Sequence, residues 1–284
     1  MCRFVAYLGP DILLDELLYQ PNNSLIHQSY HALERADPVN GDGFGVGFYV
    51  PDLDPEPALF VTIQPAWNYR NLRHNAPKMK SGCILAHVRA ASSATVSEVN
   101  CHPFQYGELL LMHNGKVAGF KRMKRRIRER LSEETYQWIS GGTDTEHFFA
   151  LMVDRLIENR RNHVEADDIV MALRGAITDV MGLRDELEIE EDTYLNLCIS
   201  NGRCLVATRF CSDRHKEPHT LYFSEGSRYT CESGVARMVQ ADPEERAVII
   251  ASERLSQEEG AFTPIPPNHF VTVQEDRAVE VFPI

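Results

Sequence analysis

The chain has 284 residues, with 29 Lys and Arg against 41 Asp and Glu, a formal net charge of −12. That acidic balance argues against general binding to nucleic acid or to an anionic membrane surface. Nothing approaches the roughly 18 consecutive apolar residues of a membrane span, no secretory signal is expected, and seven cysteines without a C-x-x-C pair fit a reducing cytoplasm.

The pattern predicts a strand over Cys2–Leu8 and a short helix over Asp11–Leu18. A second strand covers Phe44–Val50, where apolar Phe44, Val46 and Phe48 alternate with Gly43, Gly45 and Gly47. Its glycine face is nearly bare, so a ligand or another backbone can come close. Pro51–Pro57 reads as an exposed loop. Further strands are expected at Cys83–Arg89 and Leu109–His113. Two amphipathic helices follow. The first carries Phe148, Phe149, Met152, Val153, Leu156 and Ile157, with Thr143 and Glu146 as a capping box. The second carries Ile169, Val170, Leu173, Ile177, Val180 and Met181. Tyr194–Phe210 is broken by Asn201-Gly202, a two-residue hairpin signal. Strands are also expected at Thr220–Phe223, Ala247–Ala251, Phe270–Val273 and Val279–Phe282. Strands come in runs, helices come together, and strands return. That order suits an α+β fold of antiparallel sheets with helices segregated to outer faces, in one domain spanning 1–284.

Common catalytic motifs are missing. There is no H-E-x-x-H, no G-x-S-x-G and no P-loop, and Gly41–Gly47 enters a strand, unlike a dinucleotide-binding turn. Cys198, Cys204, Cys211, His215 and His219 match no zinc spacing, so neither metal nor cofactor is expected. Lys121–Arg130 has seven basic residues and one acid. It reads as a solvated face, with a local anion or partner patch as the sharper alternative.

Cys2 is the informative residue. Removal of Met1 would leave a free α-amine, with a pKa near 8, beside the thiol of the same residue. Nucleophile and base would then sit on one amino acid. A buried structural cysteine is the plain alternative. Three segments bear on the choice: His87–Ser93 (HVRAASS), His113–Gly115 (HNG) and Thr143–Glu146 (TDTE). Each has a structural account of its own. Arg89 could be an ion-pair partner, Asn114-Gly115 a hairpin turn, and Asp144 a favourable charge at a helix start.

In order, Met1-Cys2, Asn40–Gly45 (NGDGFG), His87–Ser93, Asn100–Phe104 (NCHPF), His113–Gly115 and Gly142–Glu146 (GTDTE) resemble the glutaminase domain of class II glutamine amidotransferases. A weaker echo follows at Ile250–Leu255 (IASERL). The resemblance implies an N-terminal nucleophile hydrolase fold, a four-layer α/β/β/α sandwich of two antiparallel sheets. It implies that Cys2 attacks the side-chain amide of a glutamine-like group, with Asn114 and the Gly115 N–H as oxyanion hole. Arg89, helped by Ser92, would hold the substrate carboxylate and Asp144 its ammonium. Ala90 stands where synthase-linked members often carry an aromatic residue, and no second catalytic domain is recognised downstream. The chain is therefore similar to the stand-alone group, which includes the γ-glutamyl amidohydrolase of ergothioneine biosynthesis and the amidohydrolase subunit of glutathione breakdown. The expected partner is a small γ-glutamyl substrate, glutamine or an analogue. A glutaminase subunit feeding ammonia to a separate synthase, and an interaction module docking through Lys121–Arg130, are the alternatives. A homo-oligomer stays open. Specificity beyond the glutamyl group is assigned to loops such as Pro51–Pro57, Pro65–Lys80 and Ser212–His219.

Overall fold

A computed structural model describes residues 2–34, 38–91, 95–158, 163–240, 242 and 245–284. Two antiparallel sheets are stacked face to face. The first has seven strands in the order Thr263–Pro264 (β13), Tyr222–Gly226 (β9), Ala247–Ala251 (β12), Arg3–Leu13 (β1), Lys80–Val88 (β4), Phe44–Val50 (β2) and Asp54–Thr62 (β3). The second has six, in the order Val279–Pro283 (β15), His269–Val273 (β14), Leu205–Arg209 (β8), Tyr194–Ser200 (β7), Leu109–Lys116 (β6) and Phe104–Tyr106 (β5). A separate hairpin pairs Arg228–Glu232 (β10) with Val235–Val239 (β11).

Side-chain alternation along each strand sorts the core into three layers. Phe4, Ala6 and Leu8 of β1 meet Leu110 and Met112 of β6 between the sheets. Val5 and Tyr7, one residue out of phase, pack on the other side with Leu14–Leu18 (α1) and Leu25–His31 (α2). Beyond the second sheet lie Phe120–Arg128 (α4), Glu133–Trp138 (α5), Asp144–Glu158 (α6) and Ala166–Glu186 (α7), while Arg70–Asn75 (α3) flanks the first sheet. In α7, Ile169, Leu173, Ala176 and Val180 are fully buried at spacings of three and four, which lays that helix on the sheet. The result is the four-layer α/β/β/α sandwich.

The glycine face of β2 is explained by this stacking. A Cβ on Gly47 would lie 2.4 Å from Leu110 Cδ1, and one on Gly45 only 2.3 Å from the His102 carbonyl. The bare face admits the opposite sheet rather than a ligand. It is also separated from β1 by β4, so it is not the immediate neighbour of the Cys2 strand.

Several local expectations are corrected. Asp11–Leu13 extend β1, and only Leu14–Leu18 is helical. Asp54–Pro57, expected as loop, belong to β3. The β7–β8 pairing closes at Ser200 and Leu205, so its loop has more than two residues. The Asn201 Oδ1 accepts from the backbone N–H groups of Arg203 and Cys204, both at 3.1 Å, and this side-chain turn replaces a tight hairpin. A two-residue turn occurs instead at Ser233-Gly234, both at positive φ, between Glu232 and Val235. Ile157 is exposed, although it falls on the apolar stripe expected for α6. The capping box of α6 closes on one side only. Thr143 Oγ1 accepts from Glu146 N at 3.1 Å, but the Glu146 carboxylate turns to the N–H groups of Ser140 and Gly141.

Candidate active site

The layer between the sheets is apolar along most of its length and polar at one end. Strand phase sets this. Cys2 continues the series Phe4, Ala6, Leu8, and Arg89 continues Cys83, Leu85 and His87. Asn114 continues Leu110 and Met112, and Asn196, paired opposite it, continues Cys198. Cys2, Arg89 and Asn114 therefore share one layer and one end of the sandwich.

Cys2 is half-buried, and its Sγ lies 3.4 Å from Ala90 N and 3.6 Å from Ala90 O. Burial pushes its thiol above the usual cysteine range, against the opposing pull of the Ala90 N–H and the Arg89 charge. One residue on, Arg3 is buried in an ion pair with Glu253, Nε to Oε1 at 2.6 Å, and its Nη1 donates to the Cys2 carbonyl at 3.0 Å. Glu253 also accepts from the N–H groups of Leu33 and Glu34. This pair anchors the Cys2 backbone from behind.

Arg89 is 5% exposed. Its Nη2 donates to Thr95 O at 3.3 Å and its Nη1 has no partner among the described residues. Its backbone is clamped by the Asn40–Gly43 segment. Arg89 N donates to Gly43 O and Asp42 N to Arg89 O, while Ala91 N donates to Asp42 Oδ2 at 2.7 Å. A guanidinium so held presents an open donor edge to a carboxylate. Ser92 lies outside the described residues.

Asn114 is completely buried, and among the described residues neither its Oδ1 nor its Nδ2 has a hydrogen-bond partner. An orphaned buried amide is costly, by about 1–3 kcal/mol, and needs a reason. Asn114 and Gly115 lie inside β6, paired with Asn196 and Leu195, so the hairpin-turn reading of this dipeptide is overturned. A strand with strict phase, not a turn, aims the amide. A Cβ on Gly115 would fall 2.0 Å from Tyr194 O, which is why glycine follows.

Asp144 opens α6. Its Oδ2 accepts from Val117 N at 2.7 Å and its Oδ1 from Thr145 N at 2.9 Å. The carboxylate faces a cleft of about 810 Å³ that Lys116, Lys121 and Lys124 also line. Three residues of the basic run, Lys121, Arg122 and Lys124, thus border this cleft. The rest of α4 is solvated, with Arg125 paired to Glu129 and Arg126 to Glu186, around buried Met123 and Ile127.

Two connections tie these pieces together. Asn100 donates to Thr95 O, the acceptor that Arg89 also uses, and accepts from Gly142 N at 3.0 Å just before Asp144. A chain of three buried imidazoles runs beneath. His113 Nε2 donates to Tyr194 O, which leaves Nδ1 to accept from the Thr145 hydroxyl at 2.8 Å. His87 Nε2 points at His113 O, and His102 Nδ1 lies 2.9 Å from the same nitrogen. These tautomers follow from the carbonyl acceptors. Burial pushes all three histidines down, His87 to about 3, so the chain is neutral at pH 7. Neither connection follows from strand patterning. The available signal was polar His87 and His113 inside otherwise apolar runs, and Asn100 and His102 within NCHPF.

The family description "Glutamine amidotransferases class-II" matches residues 22–283, a span that begins after Cys2. The chain is 36% identical over 294 residues to the probable glutamine amidotransferase DUG3 of Saccharomyces cerevisiae, covering 97% of this chain and 82% of that protein. It is 35% identical over 119 residues to the γ-glutamyl-hercynylcysteine sulfoxide hydrolase of Mycobacterium tuberculosis, spanning 41% of this chain and half of that relative. Among solved structures, a glutamine aminotransferase class-II domain protein from Silicibacter pomeroyi aligns over 99% of this chain and 100% of that one, with a TM-score of 0.67 and 25% identity. The glutamine phosphoribosylpyrophosphate amidotransferase of B. subtilis, 14% identical with a TM-score of 0.61 and covered over 49% of its length, shares the fold. The chain belongs to the class II glutamine amidotransferases, a family of amide-cleaving enzymes.

Proposed function

We propose that this chain hydrolyses the γ-glutamyl amide bond of a small γ-glutamyl compound, with Cys2 as nucleophile. While Met1 is attached, the Cys2 nitrogen is an amide without basicity. Its removal frees an amine that takes the thiol proton as sulfur attacks the γ-carbonyl. The carbonyl oxygen gains negative charge and accepts hydrogen bonds from the Asn114 Nδ2 and the Gly115 N–H. Collapse expels the amine, protonated by the Cys2 ammonium, and leaves a thioester. Water then adds, the C–S bond breaks, and glutamate leaves. Arg89 pairs with the α-carboxylate and Asp144 with the α-ammonium, so both ends of the amino acid are fixed before attack.

The observation that carries this reading is Asn114. Its amide is buried with both polar atoms unsatisfied, in the same layer as the Cys2 sulfur. A site that stabilises charge only during reaction has this form, because the donor is held ready without a ground-state partner. The name of the mycobacterial relative supports the γ-glutamyl class. Intact-mass measurement and a glutamate-release assay test it together. The expected results are loss of Met1 and release of glutamate by the purified chain, abolished in Cys2→Ala. A retained Met1, or full activity in Cys2→Ala, removes the mechanism.

A further inference from the structure

We propose that the cavity between α2 and residues 66–74 is a second ligand site, distinct from the thiol centre, that takes a small organic anion carrying a planar ring. The cavity measures about 720 Å³, within the range of small-molecule sites. Its charge is the first argument. Arg70, Arg73, His27 and His74 line it, and no Asp or Glu does, in a chain with 41 acidic residues. Among the described residues neither Arg70 nor Arg73 has a carboxylate within ion-pair distance, whereas Arg125 and Arg126 of α4, Arg130 just beyond it and Arg184 of α7 are paired. Two guanidinium groups left open on one wall of a concavity form a focused positive field.

Its rings are the second argument. Tyr30 is 47% and Trp67 41% exposed, and they meet edge to face with centroids 6.2 Å apart. Large aromatic surface left uncovered at a cavity wall is available for stacking. A ligand supplies what each lacks: an anion for the arginines and a flat face for the indole and phenol.

The site adjoins the thiol centre through one strap. The Trp67 ring packs against Gly41, and Asn40 hydrogen-bonds to Ser29 O and Gln28 O of α2. Asp42, which follows Gly41, clamps Arg89 and Ala91. The two sites share a wall and use different residues.

Adenosine monophosphate is the probe, with adenosine and inorganic phosphate as its separated halves. Trp67 and Trp138 are the two tryptophans, so a Trp138→Phe chain reports on Trp67 fluorescence alone. The expected result is saturable quenching by the nucleotide, with each half binding at least about tenfold more weakly. Arg70→Ala with Arg73→Ala should weaken binding by at least about tenfold, and Arg73→Gln alone should weaken it measurably. Calorimetry on Trp67→Ala should show a similar loss. Binding must persist in Cys2→Ala and under saturating glutamate. That requirement separates this site from the hydrolytic one, which can fail independently. No saturation, no dependence on Arg70 and Arg73, or displacement by glutamate overturns the proposal.

Discussion

Replacing Asn114 by leucine should make the protein more stable and nearly inactive. The amide is fully buried and both of its polar atoms lack partners, so its desolvation is uncompensated in the folded state. Such a group costs about 1–3 kcal/mol. Leucine is close in size, has no polar atoms, and continues the apolar series Leu110 and Met112 on the same face of β6. The backbone pairing of residue 114 with Asn196 does not involve the side chain. Stability should therefore rise by about 1–3 kcal/mol, and each kcal/mol moves the melting temperature by about 2–4 °C in a chain of this class. Loss of one oxyanion donor should lower kcat about 100- to 1000-fold, with KM little changed, because the bond is made only in the transition state. Thermal unfolding followed by far-UV circular dichroism, and glutamate release coupled to glutamate dehydrogenase, measure the two effects. A variant that melts lower and keeps kcat within tenfold would show that Asn114 is structural, and the reasoning would fail.

Other outcomes follow from the same geometry. Glu253→Gln leaves the buried Arg3 charge uncompensated and should cost about 3–5 kcal/mol in urea unfolding, with a fall in kcat as the Cys2 carbonyl loses its anchor; unchanged stability would mean the pair is solvated. Gly115→Ala forces β6 away from Tyr194 O and should cost about 1–3 kcal/mol while abolishing glutamate release; wild-type activity would place the oxyanion elsewhere. Acid should weaken the fold. His87 is neutral when folded down to about pH 3, whereas in the unfolded chain it takes up a proton near pH 6.5. The unfolded state thus binds more protons as pH falls through this window. Stability is complete above about pH 6.5 and should drop by about 1.4 kcal/mol per pH unit below it for this histidine alone. Urea midpoints that stay flat from neutral pH to about pH 4 would contradict a neutral buried imidazole.

Much of this protein can be read from local chemistry. The alternating apolar residues of β2 and the apolar runs of β4, β7 and β12 have to lie in sheets, and the stripes of α6 and α7 have to lie against one. Cys2, Arg89, Asn114 and Asp144 stand in an order that resembles one family, and the proposed reaction would use them as nucleophile, carboxylate clamp, oxyanion donor and ammonium partner. Local patterns fail where long-range contacts decide. The glycines of β2 leave room for a ligand or another backbone, and only the tertiary structure decides for the second, with Leu110 of the facing sheet and the His102 carbonyl in that space. Asn114-Gly115 and Asn201-Gly202 carry the same turn signal. The first is a strand interior because Asn196 and Leu195 pair across from it, and the second is a loop shaped by its own asparagine oxygen. Strand phase brings residues 2, 89 and 114 to one end of one layer, and only the stacking of the two sheets makes that end a site. The imidazole chain and the Arg3–Glu253 pair are also tertiary. Each joins residues far apart in sequence, and burial, which sequence spacing does not encode, sets their charge.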